Sequence, residues 1–137
     1  MTRVPPRSSS PSMTTSNRTP GRRVLIIDDN EDAAQLLALF VGALGHIPEV
    51  ANSGPTGLQI AASFLPEVVF LDLGMPGMSG FEVAPRLRMI AGLERAFIAA
   101  LTGWNDANTR RQVVECGFDR HLTKPAAIEH IQDVLAQ

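Results

Sequence analysis

Residues 67–80 read EVVFLDLGMPGMSG, a run of apolar side chains that ends abruptly at Asp72 and is followed by a glycine-rich loop. A short, continuous apolar run bounded by turn residues is typical of a strand that is buried on both faces. Residues 23–29, RVLIIDD, repeat this pattern and end at Asp28 and Asp29. Because strands of this kind occur in parallel sheets covered by helices, the two stretches favour an α/β fold.

The rest of the chain continues the alternation of strand and helix. Further strands are predicted at 47–51, 96–101 and 120–123, and amphipathic helices at 33–44, 53–64, 81–90, 106–116 and 128–135. Gly45 should end the first helix as a C′ glycine. Pro85 lies within the third predicted helix and predicts either a late start or a kink there. Five βα units in about 115 residues predict one doubly wound domain.

A change in composition divides the chain near residue 21. Residues 1–21 are rich in Ser, Thr, Pro and Arg and contain no acidic residue. Such a segment buries too little apolar surface to offset its ordering entropy, so we expect it to be disordered. Three roles stay open for it: a solvated leader, a basic docking segment, and a transit peptide, against which its prolines argue. Residues 22–137 form the predicted folded domain.

Charge and composition exclude several classes of function. The net charge is −2, yet from residue 24 onward there are 7 basic and 14 acidic side chains. This acidic body argues against direct binding of nucleic acid. No apolar run reaches the roughly 18 residues of a membrane span, and the polar N-terminus does not resemble a secretory signal. A single cysteine, Cys116, fits a reducing compartment, so we expect a cytoplasmic protein.

Polar side chains come directly after the apolar part of four predicted strands: Asp28 and Asp29, Asp72, Thr102 and Lys124. Because the carboxyl ends of parallel strands meet at one edge of a sheet, we expect these side chains to share a pocket. Three neighbouring carboxylates repel each other, and a hard divalent cation such as Mg²⁺ relieves that repulsion. The ammonium of Lys124 can then pair with an anion that shares the metal. This combination predicts a site for a phosphoryl group on an oxygen nucleophile.

The chain resembles the response-regulator receiver domain, the CheY-like fold, over residues 22–136. Four motifs carry the resemblance: VLIIDDNED at 24–32, VVFLDLGMPGMSGFEV at 68–83, AALTG at 99–103 and GFDRHLTKP at 117–125. The resemblance implies a flavodoxin-like (βα)5 fold whose five-stranded parallel sheet has the order 2-1-3-4-5. It also implies a stand-alone phosphoacceptor module of a two-component phosphorelay, with a cis peptide bond before Pro125.

Roles for individual residues follow from the same resemblance. Asp72 would be the phosphoacceptor, attacking a phosphohistidine on a sensor or hybrid histidine kinase. The domain would then act by binding a partner or by relaying the phosphoryl group to a histidine phosphotransfer protein. Asp28, Asp29, Asp72 and the backbone carbonyl of Gly74 would hold Mg²⁺. Lys124 would pair with a phosphoryl oxygen.

Phosphorylation would be reported by Thr102 and His121. Thr102 would turn its hydroxyl toward the phosphoryl group, and His121 stands where the family commonly has Tyr or Phe. Two interpretations of His121 stay open: an altered or pH-sensitive switch, and a polar side chain on a partner-binding face. That face would consist of the predicted elements α4 (106–116), β5 (120–123) and α5 (128–135), which would bind a partner or form a weak dimer of an otherwise monomeric protein. Trp104 also has two interpretations, as a bulky group that slows access of water to the phosphoryl group or as an aromatic of the partner face.

Two other functions use the same residues. A phosphatase of the aspartyl-phosphate type also needs Asp, Lys, Thr and Mg²⁺, but it usually has a second acid two residues after the nucleophile, where this chain has Gly74. A degenerate receiver would serve only as a binding scaffold, and the intact set of pocket residues argues against that. We therefore expect a phosphoacceptor with at most slow self-dephosphorylation rather than an enzyme.

Overall fold

The structure is a computed structural model that describes residues 21–137. In this part of the chain the strands are β1 (Arg23–Ile27), β2 (Ile47–Ala51), β3 (Val68–Asp72), β4 (Phe97–Thr102) and β5 (Arg120–Thr123). The helices are α1 (Glu31–Ala43), α2 (Gly54–Phe64), α3 (Gly80–Arg88), α4 (Ala107–Glu115) and α5 (Ile128–Leu135). The predicted alternation of strand and helix is confirmed. The segment expected to be disordered, 1–21, lies outside the described residues except for Gly21.

The strands form one parallel sheet in the order β2-β1-β3-β4-β5, which confirms the order that the resemblance implied. In its register Ile27 is level with Leu71, and Asp72 is level with Leu101. The carboxyl ends of β1, β3 and β4 therefore stand side by side. Strand β2 lies on the outer side of β1, whereas β4 and β5 lie on the outer side of β3. The strand order therefore reverses between β1 and β3, at this edge.

Alternate residues of each central strand pack into two separate cores. Val69 and Leu71 of β3 face one core, whereas Val68 and Phe70 face the other. The first core is completed by α2, α3 and α4, and the second by α1 and α5. Because both faces are covered, β3 is buried along its whole length, which explains its unbroken apolar sequence.

Several boundaries differ from the predicted ones by one or two residues. Helix α1 begins at Glu31 instead of residue 33, because the side chain of Asn30 accepts a hydrogen bond from the backbone N–H of Ala33 and caps the helix. Gly45, with a φ of 92°, follows the end of α1, as predicted. Strands β3 and β4 each extend one residue further than predicted and include Asp72 and Thr102.

The third helix does not start late, so that alternative for Pro85 is wrong. Helix α3 begins at Gly80 and contains Pro85 in its interior. A capping box fixes its start. The side chain of Glu82 accepts a hydrogen bond from the backbone N–H of Ser79, and the side chain of Ser79 accepts one from the backbone N–H of Glu82. The helix ends at Arg88, one turn after the proline.

None of the helices between residues 21 and 137 is long and apolar enough to cross a membrane.

Candidate functional site

Three polar side chains are buried at the carboxyl edge of the sheet. Asp28, Asp72 and Thr102 keep only 2%, 6% and 1% of their surface exposed. Asp29, beside Asp28, is exposed to solvent. Burial of a carboxylate is costly unless hydrogen bonds and opposite charges compensate it, so the partners of these groups decide what the site can do.

Neighbouring groups contact both the carboxylate and the backbone carbonyl of Asp28. Its Oδ1 accepts a hydrogen bond from the backbone N–H of Asn30 at 3.0 Å, and its Oδ2 lies 3.0 Å from Nζ of Lys124. The side-chain amide of Asn52 donates to the backbone carbonyl of Asp28 at 2.9 Å. The carboxylate therefore has a fixed orientation toward Lys124.

Asp72 faces the same ammonium group. Its Oδ1 lies 3.4 Å from Nζ of Lys124 and accepts a hydrogen bond from the backbone N–H of Gly74 at 3.1 Å. The pKa of Asp72 is raised from 3.8 to about 6, chiefly by burial and also by the hydrogen bond and negative charge of Asp28, against the lowering effects of the Gly74 backbone N–H and the charge of Lys124. Without a further cation, the site thus opposes ionisation of this carboxyl group.

Lys124 lies between the two buried carboxylates. Partial burial lowers the pKa of Lys124, but the hydrogen bonds and charges of Asp28 and Asp72 outweigh burial and leave the pKa above its usual value of 10.5. Lys124 is therefore a permanent cation at neutral pH. The Lys124–Pro125 peptide bond is cis, as the resemblance implied.

The three carboxylates are close enough to share one metal ion. Asp28, Asp29 and Asp72 can each offer an oxygen so that the three oxygens lie within 4.8 Å of one another. Ligands that are all oxygen suit a hard cation such as Mg²⁺ or Ca²⁺ rather than zinc. The residues present therefore fit the predicted metal, and the charge of a divalent ion would reverse the effect that raises the pKa of Asp72.

A chain of contacts runs from this pocket toward β5. The hydroxyl oxygen of Thr102 accepts a hydrogen bond from the backbone N–H of Trp104 at 3.0 Å. The carbonyl oxygen of Trp104 lies 3.3 Å from Nε2 of His121, within hydrogen-bond distance. Thr102 and His121, both predicted as switch residues, thus contact the same residue of the β4–α4 loop.

An apolar groove of about 590 Å³ opens beside the pocket, between α1 and α5. Asp28 and Lys124 line its end at the sheet edge, and Leu37, Phe40 and Ile131 line its interior.

Comparison with known proteins identifies the family. The family described as "Response regulator receiver domain" matches residues 24–136. The chain belongs to this family. It is 35% identical over 103 residues to the response regulator PleD of Caulobacter vibrioides, a match that covers 75% of this chain and 23% of PleD. The receiver domain spans less than half the length of the first curated relatives that it matches, and other relatives are sensor histidine kinases.

Solved structures agree with the fold. The chemotaxis protein CheY4 of Vibrio cholerae matches this receiver domain with a TM-score of 0.78 and 25% identity, covering 83% of this chain and 98% of that one. A response regulator from Burkholderia pseudomallei, described with a phosphorylated aspartic acid, a calcium ion and citrate, matches with a TM-score of 0.77 and 32% identity. This match covers 83% of the receiver domain and 66% of the Burkholderia chain.

The structure brings together the residues that the sequence predicted for the pocket: Asp28, Asp29, Asp72, Gly74, Thr102 and Lys124. His121 is not among these residues; its hydrogen-bond contact is with the carbonyl of Trp104, whose backbone N–H donates to Thr102. The prediction missed Asn52, which orients Asp28. A signal for it was available, since Asn52 directly follows β2 and so stands at the same edge as the other pocket residues.

Proposed function

We propose that this chain is a phosphoacceptor of a two-component phosphorelay and that Asp72 accepts the phosphoryl group from a phosphohistidine. The donor would be a sensor or hybrid histidine kinase or a histidine phosphotransfer protein. The observation that carries the proposal is the position of the Lys124 ammonium, 3.0 Å from Asp28 and 3.4 Å from Asp72 at the buried sheet edge. A nucleophile, a metal-binding carboxylate and a fixed cation meet there.

The chemistry assigns a role to each side chain. A carboxylate oxygen of Asp72 forms a bond to phosphorus, and the bond from phosphorus to the donor's imidazole nitrogen breaks, with its electron pair remaining on that nitrogen. Asp28, Asp29, Asp72 and the carbonyl of Gly74 would hold Mg²⁺, which neutralises charge on the phosphoryl oxygens when bound. Lys124 would pair with one phosphoryl oxygen, which would compete with the carboxylates of Asp28 and Asp72 for the ammonium group.

The response to phosphorylation would begin at Thr102. The new phosphoryl oxygens are strong acceptors, so they would draw the Thr102 hydroxyl away from its contact with the N–H of Trp104. A shift of Trp104 would then release or tighten the contact between its carbonyl and His121 on β5. We propose that this sequence of contacts alters the α4–β5–α5 face for a partner or for a weak dimer.

Turnover as a phosphatase is a weaker candidate. The second residue after Asp72 is Gly74, which has no side chain to act as acid or base in hydrolysis. We therefore propose slow self-dephosphorylation and no enzymatic role. Incubation with excess acetyl phosphate should release inorganic phosphate only at the slow rate at which the aspartyl phosphate itself decays.

The test of the proposed function is the intact mass of the full chain after incubation with acetyl phosphate, with and without Mg²⁺. Wild type should gain the mass of one phosphoryl group only with Mg²⁺, and Asp72→Asn should gain none. Asp133→Asn, which removes an exposed carboxylate on α5, is the matched control and should behave as wild type. If acetyl phosphate and a panel of histidine kinases all leave wild type unmodified, the phosphoacceptor function is wrong and a binding scaffold is favoured.

A further inference from the structure

The backbone of Asp28 is bound by two consecutive residues at the end of β2. Its N–H donates to the carbonyl of Ala51 at 3.0 Å, which continues the pairing of β1 with β2 by one residue. In a parallel ladder, the carbonyl of Asp28 would next accept from the backbone N–H of Ser53. Ser53 instead is the N-cap of α2, and the side-chain amide of Asn52 donates to that carbonyl at 2.9 Å. Asn52 thus extends the pairing past the end of β2.

The amide of Asn52 is the feature of this side chain that the structure uses. Asn52 is exposed, whereas Asp28 keeps only 2% of its surface exposed. Among the residues that the structure describes, no other group donates to the carbonyl of Asp28. The contribution of Asn52 therefore lies in its hydrogen-bond donor rather than in buried apolar surface.

The carbonyl that Asn52 holds belongs to the peptide that joins Asp28 to Asp29. Because a peptide unit is planar, a fixed carbonyl oxygen restricts the plane, and the plane restricts the directions of the two flanking side chains. The carboxylate of Asp28 has further restraints, since it contacts the N–H of Asn30 and the ammonium of Lys124. The exposed carboxylate of Asp29 makes no hydrogen bond or ion pair within residues 21–137. Its direction therefore depends on the peptide that Asn52 holds.

We propose that Asn52 is a positioning residue for the metal site: by holding the Asp28–Asp29 peptide, its amide directs the carboxylate of Asp29 toward those of Asp28 and Asp72. This inference rests on the metal binding that is part of the proposed function. The oxygens that the three carboxylates offer lie within 4.8 Å of one another, and this closeness requires Asp29 to face the other two. A carboxylate that is not directed in advance must be ordered when the ion binds, and that ordering weakens the affinity.

A purely structural role of Asn52 would give a different pattern. If the amide only completed the ladder, its loss would lower stability without a specific effect on the metal ion. Ser53 offers the matched control, because its side chain accepts a hydrogen bond from the backbone N–H of Thr56 and caps α2. Ser53→Ala removes this cap, whereas Asn52→Ala removes the donor to Asp28.

The first measurement is isothermal titration calorimetry of Mg²⁺ with full-length wild type, Asn52→Ala, Ser53→Ala and Asp29→Asn, beside urea unfolding of each in a chelating buffer. Loss of a group that orients a metal ligand costs about 10–100-fold in affinity, so the dissociation constant for Mg²⁺ should rise about tenfold in Asn52→Ala. Ser53→Ala should lower the urea midpoint and keep the dissociation constant of wild type. Asp29→Asn, which removes the ligand itself, should weaken binding at least as much as Asn52→Ala.

The second measurement is the rate of phosphorylation by acetyl phosphate at increasing Mg²⁺ concentration. Asn52→Ala should need about tenfold more Mg²⁺ to reach half of its maximal rate. Its maximal rate should stay close to that of wild type, because saturating Mg²⁺ compensates for the weaker affinity and the phosphoacceptor and Lys124 are unchanged.

A dissociation constant that Asn52→Ala leaves unchanged would overturn the inference while the proposed function stands. Equal weakening in Ser53→Ala would also overturn it, since any loosening of the connection between β2 and α2 would then be sufficient. A lower maximal rate with an unchanged Mg²⁺ requirement would do the same. If wild type binds no Mg²⁺, or if Asp29→Asn binds it as tightly as wild type does, the proposed metal site is wrong and the inference fails with it.

Discussion

The raised pKa of Asp72 predicts that removing its charge stabilises the protein at neutral pH. The pKa rises from 3.8 to about 6, so the folded state opposes ionisation of this group. With about 1.4 kcal/mol for each pH unit, the ionised carboxylate destabilises the fold by about 3 kcal/mol. Because Asn has nearly the same shape and no charge, Asp72→Asn should recover much of that free energy when divalent cations are absent.

The sign of the pH dependence follows from proton binding. Between about pH 4 and 6, Asp72 is protonated in the folded state and ionised in the unfolded state. The contribution of Asp72 to the free energy of unfolding of wild type therefore falls as pH rises through that window. Above about pH 6 the full destabilisation is present. Asp72→Asn should therefore be about 2–3 kcal/mol more stable than wild type at pH 7.5, and the difference should shrink to below about 1 kcal/mol near pH 4.5.

Urea unfolding in a chelating buffer measures this difference. With a slope of about 1–3 kcal/mol per molar urea, the midpoint of Asp72→Asn should move upward by roughly 1 M at pH 7.5. Asp133→Asn should leave the midpoint nearly unchanged, because its carboxylate is exposed and 4.0 Å from Arg120. Added Mg²⁺ should stabilise wild type and not Asp72→Asn. An Asp72→Asn variant that is no more stable than wild type at pH 7.5 would show that Lys124 already compensates both carboxylates.

Three further changes test how the fold supports the site, each measured by urea unfolding. Gly80→Ala should destabilise the protein by about 2 kcal/mol or more, because the added β-carbon would lie 2.6 Å from the backbone oxygen of Asp72. In the control Gly103→Ala, the added β-carbon meets no atom within 4 Å, so the free energy of unfolding should hardly change. Equal effects of the two changes would contradict this prediction. Arg88→Met should cost about 2 kcal/mol through loss of the hydrogen bonds that join α3 to the segments directly before β4 and β5, and an unchanged midpoint would show them to be dispensable. Asn30→Ala should cost about 1 kcal/mol by removing the cap of α1, and Asn30→Asp, which keeps the cap, should cost less.

The pocket could be predicted from the sequence because its residues are tied to strand ends. Asp72 ends the apolar strand β3 and Lys124 directly follows β5, and in a parallel sheet these positions at the carboxyl ends of strands assign both residues to one edge. No knowledge of side-chain packing is needed. The order of the strands was a different matter: hydrophobic patterns give the number and direction of strands but not which are neighbours, and the order came from the resemblance.

Features that depend on loops could not be predicted. The sequence does not show that the backbone of Trp104 contacts both Thr102 and His121, because these contacts depend on the path of the β4–α4 loop. Helix α1 was predicted to start too late because apolar periodicity begins only after Glu31 and Asp32. The better signal was Asn30, a favoured capping residue directly before two acids that suit a helix N-terminus.

Charge in the pocket is unbalanced in a way that defines its ligands. Asp28, Asp29 and Asp72 carry three negative charges when ionised, and Lys124 supplies one positive charge, which leaves an excess equal to the charge of one divalent cation. A bound Mg²⁺ would therefore bring the pocket close to neutrality and allow Asp72 to ionise as a nucleophile at neutral pH. A transferred phosphoryl group would carry about −1.5 to −2 itself, but the negative oxygen of Asp72 would be used in the new bond to phosphorus, so the pocket would become more negative by up to about one charge. In the proposed phosphorylated state the pocket would need new donors, and we propose that the buried hydroxyl of Thr102 would turn to supply one, at the expense of its contact with Trp104.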